Sequence, residues 1–375
     1  MIYKKFQDLE LSALGLGAMR LPCIDGSEEN IDLDKSAEMV EFALENGINY
    51  FDTAWMYHAG NSEPVMGEIL SRYDRNSFYL ASKFPGFDKE NMTHVKEIFE
   101  KQLERCKVDY FDFYLFHNVY EENIDGYLDP QYGIFDYLIE QKKNGRIKHL
   151  GFSTHGSMET MQRFLDAYGE YMEFCQIQLN YFDWKFQDAK AKVEMLRERN
   201  IPVWVMEPVR GGKLASLDDG ATETLKSLRP DESIPTWAFR FLQGIDNVTM
   251  TLSGMSNMEQ LQENIQTYSE EKLLSQEEYQ ALMKIADEMI AAEAVPCTAC
   301  RYCTAKCPKG LDIPALISIM NKMMADSDCS CDELKQYTEQ QLPGACVGCR
   351  SCEKVCPQGI KISEVMKKFT AMLGD

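Results

Sequence analysis

The chain has 375 residues, of which 45% are hydrophobic, and it carries a formal net charge of −21. This length exceeds the usual size of a single hydrophobic core, so we expect one large domain with a smaller one. The excess of negative charge argues against nucleic acid or an anionic membrane as a partner. No hydrophobic run approaches the length of a membrane span, and none follows the N-terminus as in a signal peptide. These features predict a cytoplasmic protein without a membrane span.

Cysteine and charge are distributed unevenly along the chain. Ten of the 13 cysteines follow residue 296, which indicates a local metal centre rather than a disulfide framework. From Ala291 onward, ten Lys and Arg residues balance ten Asp and Glu residues, so the negative excess belongs to the first part. We therefore predict two domains, 1–290 and 291–375.

The first part alternates short hydrophobic runs with amphipathic stretches, after an opening hairpin-like segment. The predicted strands are Leu14–Met19, Tyr50–Asp52, Phe78–Lys83, Phe111–Phe116, Ile147–Ser153, Phe174–Leu179, Pro202–Glu207 and Val248–Leu252. The predicted helices are Leu33–Glu45, Glu63–Tyr73, Met92–Arg105, Ile134–Lys143, Met158–Tyr168, Ala189–Arg199, Pro235–Gln243 and Met258–Tyr268. Eight strands, each followed by a helix, favour an α/β fold of the parallel (β/α)8 TIM-barrel type over an open doubly wound sheet. A Rossmann domain is disfavoured because no Gly-x-Gly-x-x-Gly sequence follows the first strand.

Ionisable residues recur at the C-terminal ends of these strands, where TIM barrels carry their chemistry. Asp52 and Tyr57 come at the end of the second strand, Lys83 ends the third, and His117 follows the fourth. Each has an ordinary interpretation when taken singly, such as a turn aspartate, a solvated lysine or a core histidine. Their convergence on one barrel mouth instead predicts a catalytic site.

These four side chains suit the reduction of a carbonyl group, in which the alkoxide must receive a proton as it forms. Tyr57 can donate that proton more readily if a cation at Lys83 stabilises its phenolate. A buried lysine needs a counter-ion, which Asp52 provides. A neutral imidazole at His117 can hydrogen-bond the carbonyl oxygen and orient it.

Asp52, Tyr57, Lys83 and His117 resemble the catalytic tetrad of the aldo-keto reductase family. They stand in Phe51-Asp52-Thr53-Ala54, Ser82-Lys83 and Phe116-His117, and other family signatures are matched by Gly17-Ala18-Met19-Arg20-Leu21-Pro22, Gly151-Phe152-Ser153 and Gln178-Leu179-Asn180-Tyr181. The resemblance covers residues 1–290. It implies that Tyr57 is the general acid, that Lys83 and Asp52 tune it, and that His117 orients a small carbonyl or alcohol substrate.

The same resemblance implies a nicotinamide cofactor, NADP or NAD. The family's segment for the adenosine half is matched by Ser253, Gly254, Met255, Ser256, Gln260, Glu263 and Asn264. A helix that starts near Asn257 would present backbone N–H groups to phosphate. Ser153 and Gln178 would hold the carboxamide. The loop formed by Arg210, Gly211, Gly212 and Lys213 either covers the pyrophosphate or is a surface turn.

Three positions depart from the family pattern. Thr154 and then His155 follow Ser153, where many members have Asn. Met206 and Glu207 stand where many members place an aromatic ring on the nicotinamide, and Gln260 stands where many NADP-preferring members carry Arg. The choice between NADP and NAD therefore stays open.

The tail contains a cysteine run that occurs twice. Cys297-x-x-Cys300-x-x-Cys303-x-x-x-Cys307-Pro308 recurs as Cys346-x-x-Cys349-x-x-Cys352-x-x-x-Cys356-Pro357. This is the bacterial ferredoxin spacing, in which the fourth cysteine ligates the other cluster. It predicts two 4Fe-4S clusters, one on Cys297, Cys300, Cys303 and Cys356, the other on Cys346, Cys349, Cys352 and Cys307. Structural zinc seldom uses two four-cysteine runs of this spacing.

The rest of the tail reads as helical. Helical patterns over Pro314–Ala325, Cys331–Glu339 and Ile362–Leu373 predict a small, mainly α-helical ferredoxin-like domain. The tail thus resembles the two-cluster modules of multi-subunit reductases. Cys329 and Cys331 fall between the two runs and are expected to be free thiols.

Two functions remain open on this basis. In the first, the barrel moves hydride between a nicotinamide and a carbonyl or alcohol, and the clusters connect it to ferredoxin or another electron-transfer protein. Hydride carries two electrons and clusters take one at a time, so a flavin is normally needed between them. A flavin is possible, but no flavin motif is visible. In the second, the barrel is a simple reductase and the tail is structural, oxygen-sensing or a docking module. A non-catalytic barrel that only docks an electron carrier is disfavoured by the complete tetrad.

Overall fold

The computed structural model describes residues 1–292, 295–325, 331–356 and 358–374. These residues form two compact units, Met1–Pro208 with Pro235–Gln276, and Val209–Ile234 with Glu277–Asp375. The division at residue 290 stays a prediction, and that residue falls inside the helix Gln276–Ala292.

A closed barrel of eight parallel strands forms the first part of the chain, which confirms the predicted fold. An antiparallel hairpin, β1 (Tyr3–Phe6) and β2 (Leu9–Ser12), precedes it. The barrel strands are β3 (Leu14–Gly17), β4 (Tyr50–Asp52), β5 (Tyr79–Phe84), β6 (Phe111–Val119), β7 (Ile147–Thr154), β8 (Cys175–Gln178), β9 (Val203–Met206) and β10 (Val248–Ser253). The barrel closes because β10 pairs in parallel with both β9 and β3.

Helices follow the strands as the amphipathic pattern predicts. Those of the chain up to residue 292 are α1 (Leu33–Glu45), α2 (Ser62–Leu70), α3 (Val95–Cys106), α4 (Ile124–Leu128), α5 (Ile134–Lys143), α6 (Met158–Tyr168), α7 (Asp183–Phe186), α8 (Ala189–Glu198), α9 (Asp219–Leu228), α10 (Ile234–Gln243), α11 (Met258–Thr267) and α12 (Gln276–Ala292). The four helices α4, α7, α9 and α12 were not among the predicted elements. Of these, α9 begins where the Asp218 carboxylate accepts the backbone N–H of Ala221, an N-cap that the sequence analysis did not use.

The hairpin closes the N-terminal end of the barrel. Phe6 lies with its ring centroid 5.1 Å from that of Trp204 and 5.7 Å from that of Phe113, and Leu11 is fully buried in the same cluster. Aromatic rings at these separations fill the interior and add contact energy beyond their buried area. One end of the barrel is therefore packed with hydrophobic side chains, and the polar strand ends lie at the other.

The tail has its own hydrophobic core, built around α13 (Ile313–Ala325) and α14 (Ile362–Met372). Leu316, Met320 and Phe369 are fully buried there. Both helices agree with prediction, but the predicted helix over Cys331–Glu339 is wrong. That stretch forms two short 3-10 segments, Cys331–Gln336 and Glu339–Gln341, because Thr338 adopts an extended backbone and caps the second one together with Gln341. Cys329 and the side chain of Cys331 lie outside the described residues, so their state as free thiols stays a prediction.

Among the described residues, no helix is long and hydrophobic enough to cross a membrane.

Candidate functional site

Lys83 is the centre of a buried polar group at the C-terminal end of the barrel. Strand register pairs Asp52 of β4 with Ala81 of β5. Lys83 follows Ala81 by two residues, so its side chain lies on the same face of the sheet. The Lys83 ammonium donates to Asp52 Oδ1 at 2.5 Å and to the Thr53 carbonyl at 2.9 Å, and it lies 3.4 Å from Tyr57 Oη. Lys83 thus contacts two of the other predicted residues, Asp52 and Tyr57.

His117 completes the group from the next strand. Its ring stands edge-on to that of Tyr57, with centroids 6.1 Å apart, and edge-on to Phe87 at 5.2 Å. The backbone of His117 is fixed by Tyr127, whose hydroxyl donates to its carbonyl at 2.8 Å. Within the described residues, the buried Nδ1 of His117 has no hydrogen-bond partner. An orphaned ring nitrogen beside a phenol is a feature that a bound polar molecule would satisfy.

Tyr57 owes its position to an unusual turn. It starts a 3-10 segment in which the next two residues, His58 and Ala59, have positive φ angles of 53° and 54°. His58 is held on both sides, because its Nε2 accepts the Leu21 N–H at 3.1 Å and its Nδ1 lies 2.7 Å from the Glu28 carbonyl. These contacts stabilise a backbone conformation that costs free energy in residues other than glycine.

Burial dominates the electrostatics of the four side chains. It raises the pKa of Tyr57 well above its ordinary value, and the Asp52 and Glu207 carboxylates add to this rise while Arg20 opposes it. Burial lowers the pKa of Lys83, against the attraction of Asp52, and it raises the pKa of Asp52, against the attraction of Lys83. The phenol therefore stays protonated at neutral pH. A cation at Lys83 alone would lower the pKa of Tyr57. The pKa does not fall, because Asp52 offsets that cation and burial disfavours the phenolate.

The imidazole of His117 is neutral. Burial lowers its pKa well below the ordinary value, and the nearby charge of Lys83 lowers it further. A neutral ring has one donor and one acceptor nitrogen, so it can hydrogen-bond a carbonyl oxygen without being a charged acid.

A second buried network lies behind Lys83, and the sequence analysis did not identify it. Glu63 of α2 accepts hydrogen bonds from Ser82 at 2.6 Å and from Gln102 of α3 at 2.6 Å, and Arg105 lies 3.3 Å from its other oxygen. Gln102 also donates to the Lys83 carbonyl at 3.0 Å. The network thus anchors the backbone of Lys83. No sequence signal could have revealed it, because Ser82, Gln102 and Arg105 lie 19, 39 and 42 residues from Glu63 along the chain.

An ion pair crosses the same end of the barrel. Arg20, after β3, lies 3.5 Å from Glu207, which follows β9 and has a positive φ of 56°. Gly254, after β10, faces the stem of Arg20, where an added Cβ would approach it to 3.1 Å. Sequence analysis noted Arg20 and Glu207 singly and could not have paired them, since they are far apart in the chain.

Two of the proposed carboxamide ligands lie next to the tetrad. Ser153, in β7, accepts the Asn118 N–H at 2.8 Å, which leaves its hydroxyl proton to be donated. Gln178, at the end of β8, donates to Asp183 at 2.8 Å. Thr154 does not substitute for the family's Asn, because its hydroxyl donates to the Val119 carbonyl at 2.6 Å and accepts the Gly156 N–H. His155 is buried beside them, where burial and the charge of Lys192 lower its pKa to about 3.

The segment predicted for the adenosine half leads from β10 into α11. Asn257 caps the helix by accepting the Gln260 N–H at 2.9 Å, and the Gln260 side chain accepts the Ser256 N–H at 2.8 Å. Asn264 reaches back to Ser253 at 3.1 Å, while Met255 is buried and Glu263 lies one turn along the helix. A ten-residue helix that begins at a loop containing glycine fits the binding of phosphate.

The predicted loop of Arg210, Gly211, Gly212 and Lys213 belongs to the second unit. It forms a 3-10 segment, Arg210–Ala215, in which Gly211 and Gly212 have φ angles of 65° and 97°. The two glycines thus take conformations that are costly for other residues.

The eight motif cysteines surround two separate cavities. Cys297, Cys300, Cys303 and Cys356 line one, and Cys307, Cys346, Cys349 and Cys352 line the other. Each cavity therefore takes three cysteines from one run and the fourth from the other. Among the described residues, no three Cys, His, Asp or Glu side chains converge closely enough to hold a single metal ion. Thiols spread around a space suit a cluster, whereas zinc requires its ligands at one point.

The backbone of the two runs is the same. Ala299 and Arg301 have φ angles of 54° and 65°, and the equivalent residues Gly348 and Arg350 have 66° and 60°. Left-handed residues at these positions curl each run around its cavity, and the Ala299 N–H donates to Cys297 Sγ at 3.4 Å. Such turns of N–H groups favour bound anions, including iron–sulfur clusters. The residues present therefore fit the predicted groups.

Comparison with known proteins assigns both parts of the chain. Residues 13–287 match the aldo/keto reductase family model. The chain belongs to the aldo-keto reductase family. Residues 296–361 match the model of the 4Fe-4S dicluster domain, so this aldo-keto reductase carries a C-terminal iron–sulfur domain.

Relatives agree with this assignment as an oxidoreductase. The "Uncharacterized oxidoreductase YqkF" of Bacillus subtilis is 28% identical over 308 residues, which cover 73% of this chain and 92% of that protein. The "NADH-specific methylglyoxal reductase" of Escherichia coli is 24% identical over 306 residues, 69% of this chain and 90% of that protein.

Solved structures share the fold of this reductase. The holo form of aldo-keto reductase AKR11C1 from Bacillus halodurans superposes with a TM-score of 0.61 at 26% identity, covering 76% of this chain and 96% of that one. An aldo-keto reductase from Klebsiella pneumoniae in complex with NADPH gives a TM-score of 0.60 at 19% identity, with the same coverage of each chain.

Proposed function

We propose that the barrel reduces the carbonyl group of a small molecule with NADPH or NADH, and that Tyr57 donates the proton. The observation that carries this proposal is the contact of one buried ammonium, on Lys83, with both Asp52 and the Tyr57 hydroxyl. A structural salt bridge would not need a phenol as a third partner. Both side chains are also largely shielded from water, since Tyr57 is 8% exposed and His117 3%.

Each side chain has a defined task in this reaction. The His117 ring lies edge-on to that of Tyr57 and has a partnerless Nδ1, so it suits a hydrogen bond that orients the carbonyl oxygen. Tyr57 transfers its hydroxyl proton to the oxygen as negative charge develops on it. Lys83 then lies 3.4 Å from the phenolate that this leaves, and Asp52 keeps the lysine charged in a buried site.

The residues that would hold the nicotinamide cofactor are Ser153, Gln178 and the segment from Ser253 to Asn264. When bound, the cofactor supplies the hydride that the carbonyl carbon receives. Ser153 offers a hydroxyl donor, Gln178 a buried amide, and the start of α11 backbone N–H groups for phosphate. The NADPH complex of the Klebsiella pneumoniae enzyme and the NADH-specific name of the Escherichia coli one support such a site without choosing between the two cofactors.

We propose further that the tail holds two 4Fe-4S clusters that exchange electrons with a one-electron carrier. The two cavities, each lined by four motif cysteines, support this. Whether these electrons reach the barrel depends on a group that converts a hydride into two single-electron steps. Flavin is the usual group of that kind, and the next experiment includes an assay for it.

The deciding experiment is anaerobic mixing of the protein, with its clusters intact, with NADPH and then with NADH. Absorbance of the clusters is followed, flavin is assayed, and methylglyoxal serves as the probe carbonyl. We expect oxidation of the nicotinamide when the carbonyl is added. Bleaching of the clusters before that addition would mean that nicotinamide and clusters exchange electrons. Consumption of nicotinamide without bleaching would favour the second function, a barrel that works alone. No consumption with either cofactor and a panel of aldehydes would contradict the proposed reduction.

A further inference from the structure

The two cysteine runs repeat at a spacing of 49 residues, so their surroundings can be compared position by position. Thr298 in the first run is buried, whereas its counterpart Val347 is 58% exposed. Cys300 is half-buried, and its counterpart Cys349 is exposed. The backbone angles of the two runs are alike, so the difference lies in what covers each run. The second run, around Cys349, is therefore the more solvent-exposed of the two.

Charge differs between the runs as well. Arg301 of the first run pairs with Asp312 at 3.1 Å. The repeat places Lys361 where Asp312 stands, and the carboxylate that interacts with the charges of Arg350 and Lys361 is that of Glu353. Lys309 and Arg350 line the second cavity, and the residues described around it include no acid. Glu353 lies nearby, with one oxygen accepting hydrogen bonds from the Ser363 N–H and hydroxyl at 2.8 and 2.5 Å.

We propose that Lys309, Val347 and Arg350 form the docking face for a small, acidic one-electron carrier protein. The inference rests on the proposed function, in which a cluster is held by Cys307, Cys346, Cys349 and Cys352. Val347 supplies an exposed apolar contact, and the two cations line the same cavity as Val347. Because the whole chain carries a charge of −21, an acidic carrier is repelled from most of its surface. A positive face around one open cluster site therefore selects where such a carrier approaches.

Electron balance at this face is simple. One electron leaves the reduced carrier and enters the cluster site, so the carrier is oxidised by one electron and the site is reduced by one. No bond is formed and no proton is transferred. Cys349, which would be a ligand of the second cluster, is exposed where a carrier would dock, whereas Cys300 of the first run is half-buried.

Binding tests the proposal without any turnover. Fluorescently labelled, oxidised acidic ferredoxin is titrated with the full-length protein, iron content is checked in every preparation, and basic cytochrome c is the opposite probe. We expect Arg350→Glu to weaken ferredoxin binding about tenfold at low salt and to strengthen cytochrome c binding. The dissociation constant of the unmodified protein for ferredoxin should rise steadily with salt. The matched control is Lys367→Glu, an equal charge reversal at an exposed residue of α14 that does not line the cavity, and it should change binding less than threefold.

Three results would overturn the docking face. They are a change below twofold in Arg350→Glu with full iron content, an equal loss in Lys367→Glu, and ferredoxin binding by the unmodified protein that does not depend on salt. If Arg350→Glu loses iron, Arg350→Gln and the salt dependence of the unmodified protein decide instead. Reduction of methylglyoxal is measured on the same preparation. If that reaction fails while ferredoxin binds normally, only the proposed function is contradicted. If the reaction proceeds while ferredoxin does not bind, only the docking face is contradicted.

Discussion

The barrel site and the cysteine sites differ in how complete they are in the folded chain. In the barrel, Lys83 already contacts Asp52 and Tyr57, and buried hydrogen bonds from Gln102 and Tyr127 hold the backbone beneath them. In the tail, the cysteines are gathered around two cavities and do not converge on a point. The first arrangement suits a reaction that needs fixed distances between small groups. The second is a frame whose final geometry depends on what fills it.

The largest effect is expected from removing one hydroxyl from the barrel site. Tyr57→Phe should lower the turnover of methylglyoxal by about 10²- to 10⁴-fold, because the proton donor is lost. Nicotinamide affinity, measured by fluorescence titration, should change less than about twofold, since the ring is retained. Tyr79→Phe, at the start of β5 and so at the opposite end of the barrel, is the control and should keep its turnover. Normal turnover in Tyr57→Phe would show that another group is the acid.

A second test asks whether the buried contacts of the site also stabilise the barrel. Lys83→Met leaves the Asp52 carboxylate buried without its partner, so we expect the free energy of unfolding to fall by about 3–5 kcal/mol. Adding Asp52→Asn should restore much of it. All four tryptophans belong to the first unit, so their fluorescence in a urea titration follows that unit.

The matched control for this test is the ion pair of Arg146 with Glu100 at 2.7 Å, where the side chains are 32% and 46% exposed. Arg146→Met should cost only about 0–1 kcal/mol because solvent screens the pair. If the two losses are equal, then Lys83 and Asp52 do not form the specially buried pair that the proposed mechanism requires.

A third test uses pH, because two buried histidines of the barrel stay neutral. The pKa of His155 is about 3, and that of His117 is also well below its ordinary value near 6.5. Each neutral histidine contributes to the free energy of unfolding. This contribution is complete above the pKa that the histidine has in the unfolded chain, and it is lost as the pH falls toward the lower pKa that it has in the folded protein. Between pH 6.5 and 3 the unfolded state binds more protons, so stability should fall by at most about 1.4 kcal/mol per pH unit for each histidine.

The variant His155→Gln should make this pH dependence shallower, whereas His94→Gln, on an exposed residue, should not. Glu63, whose pKa burial raises, acts with the opposite sign, so the difference between variant and unmodified protein is the quantity to compare. Equal slopes for His155→Gln and the unmodified protein would refute a buried neutral His155.

Much of this architecture follows from local signals. The barrel was predictable because each strand and helix has its own hydrophobic period, and the cluster sites because eight cysteines keep a fixed spacing. Contacts between distant residues were not predictable. Glu63 with Ser82 and Gln102, and Arg20 with Glu207, join elements whose separation in the chain carries no pattern. The helix expected over Cys331–Glu339 failed for a different reason, since the capping hydrogen bonds of Thr338 and Gln341 divide that stretch into separate turns.

The exchange of fourth cysteines between the two runs offers the last and smallest test, a twofold change in iron. A protein with two clusters contains about eight iron atoms, so Cys300→Ser or Cys356→Ser should each lower the count to about four. The cavities put Cys356 with Cys300, and Cys307 with Cys349. The double variant Cys300→Ser/Cys356→Ser should therefore retain about four iron atoms, whereas Cys300→Ser/Cys307→Ser should retain almost none. If each run instead held its own cluster, these two results would be reversed. Iron analysis and electron paramagnetic resonance of the two double variants therefore distinguish the two arrangements, whereas the single variants give the same iron content in both.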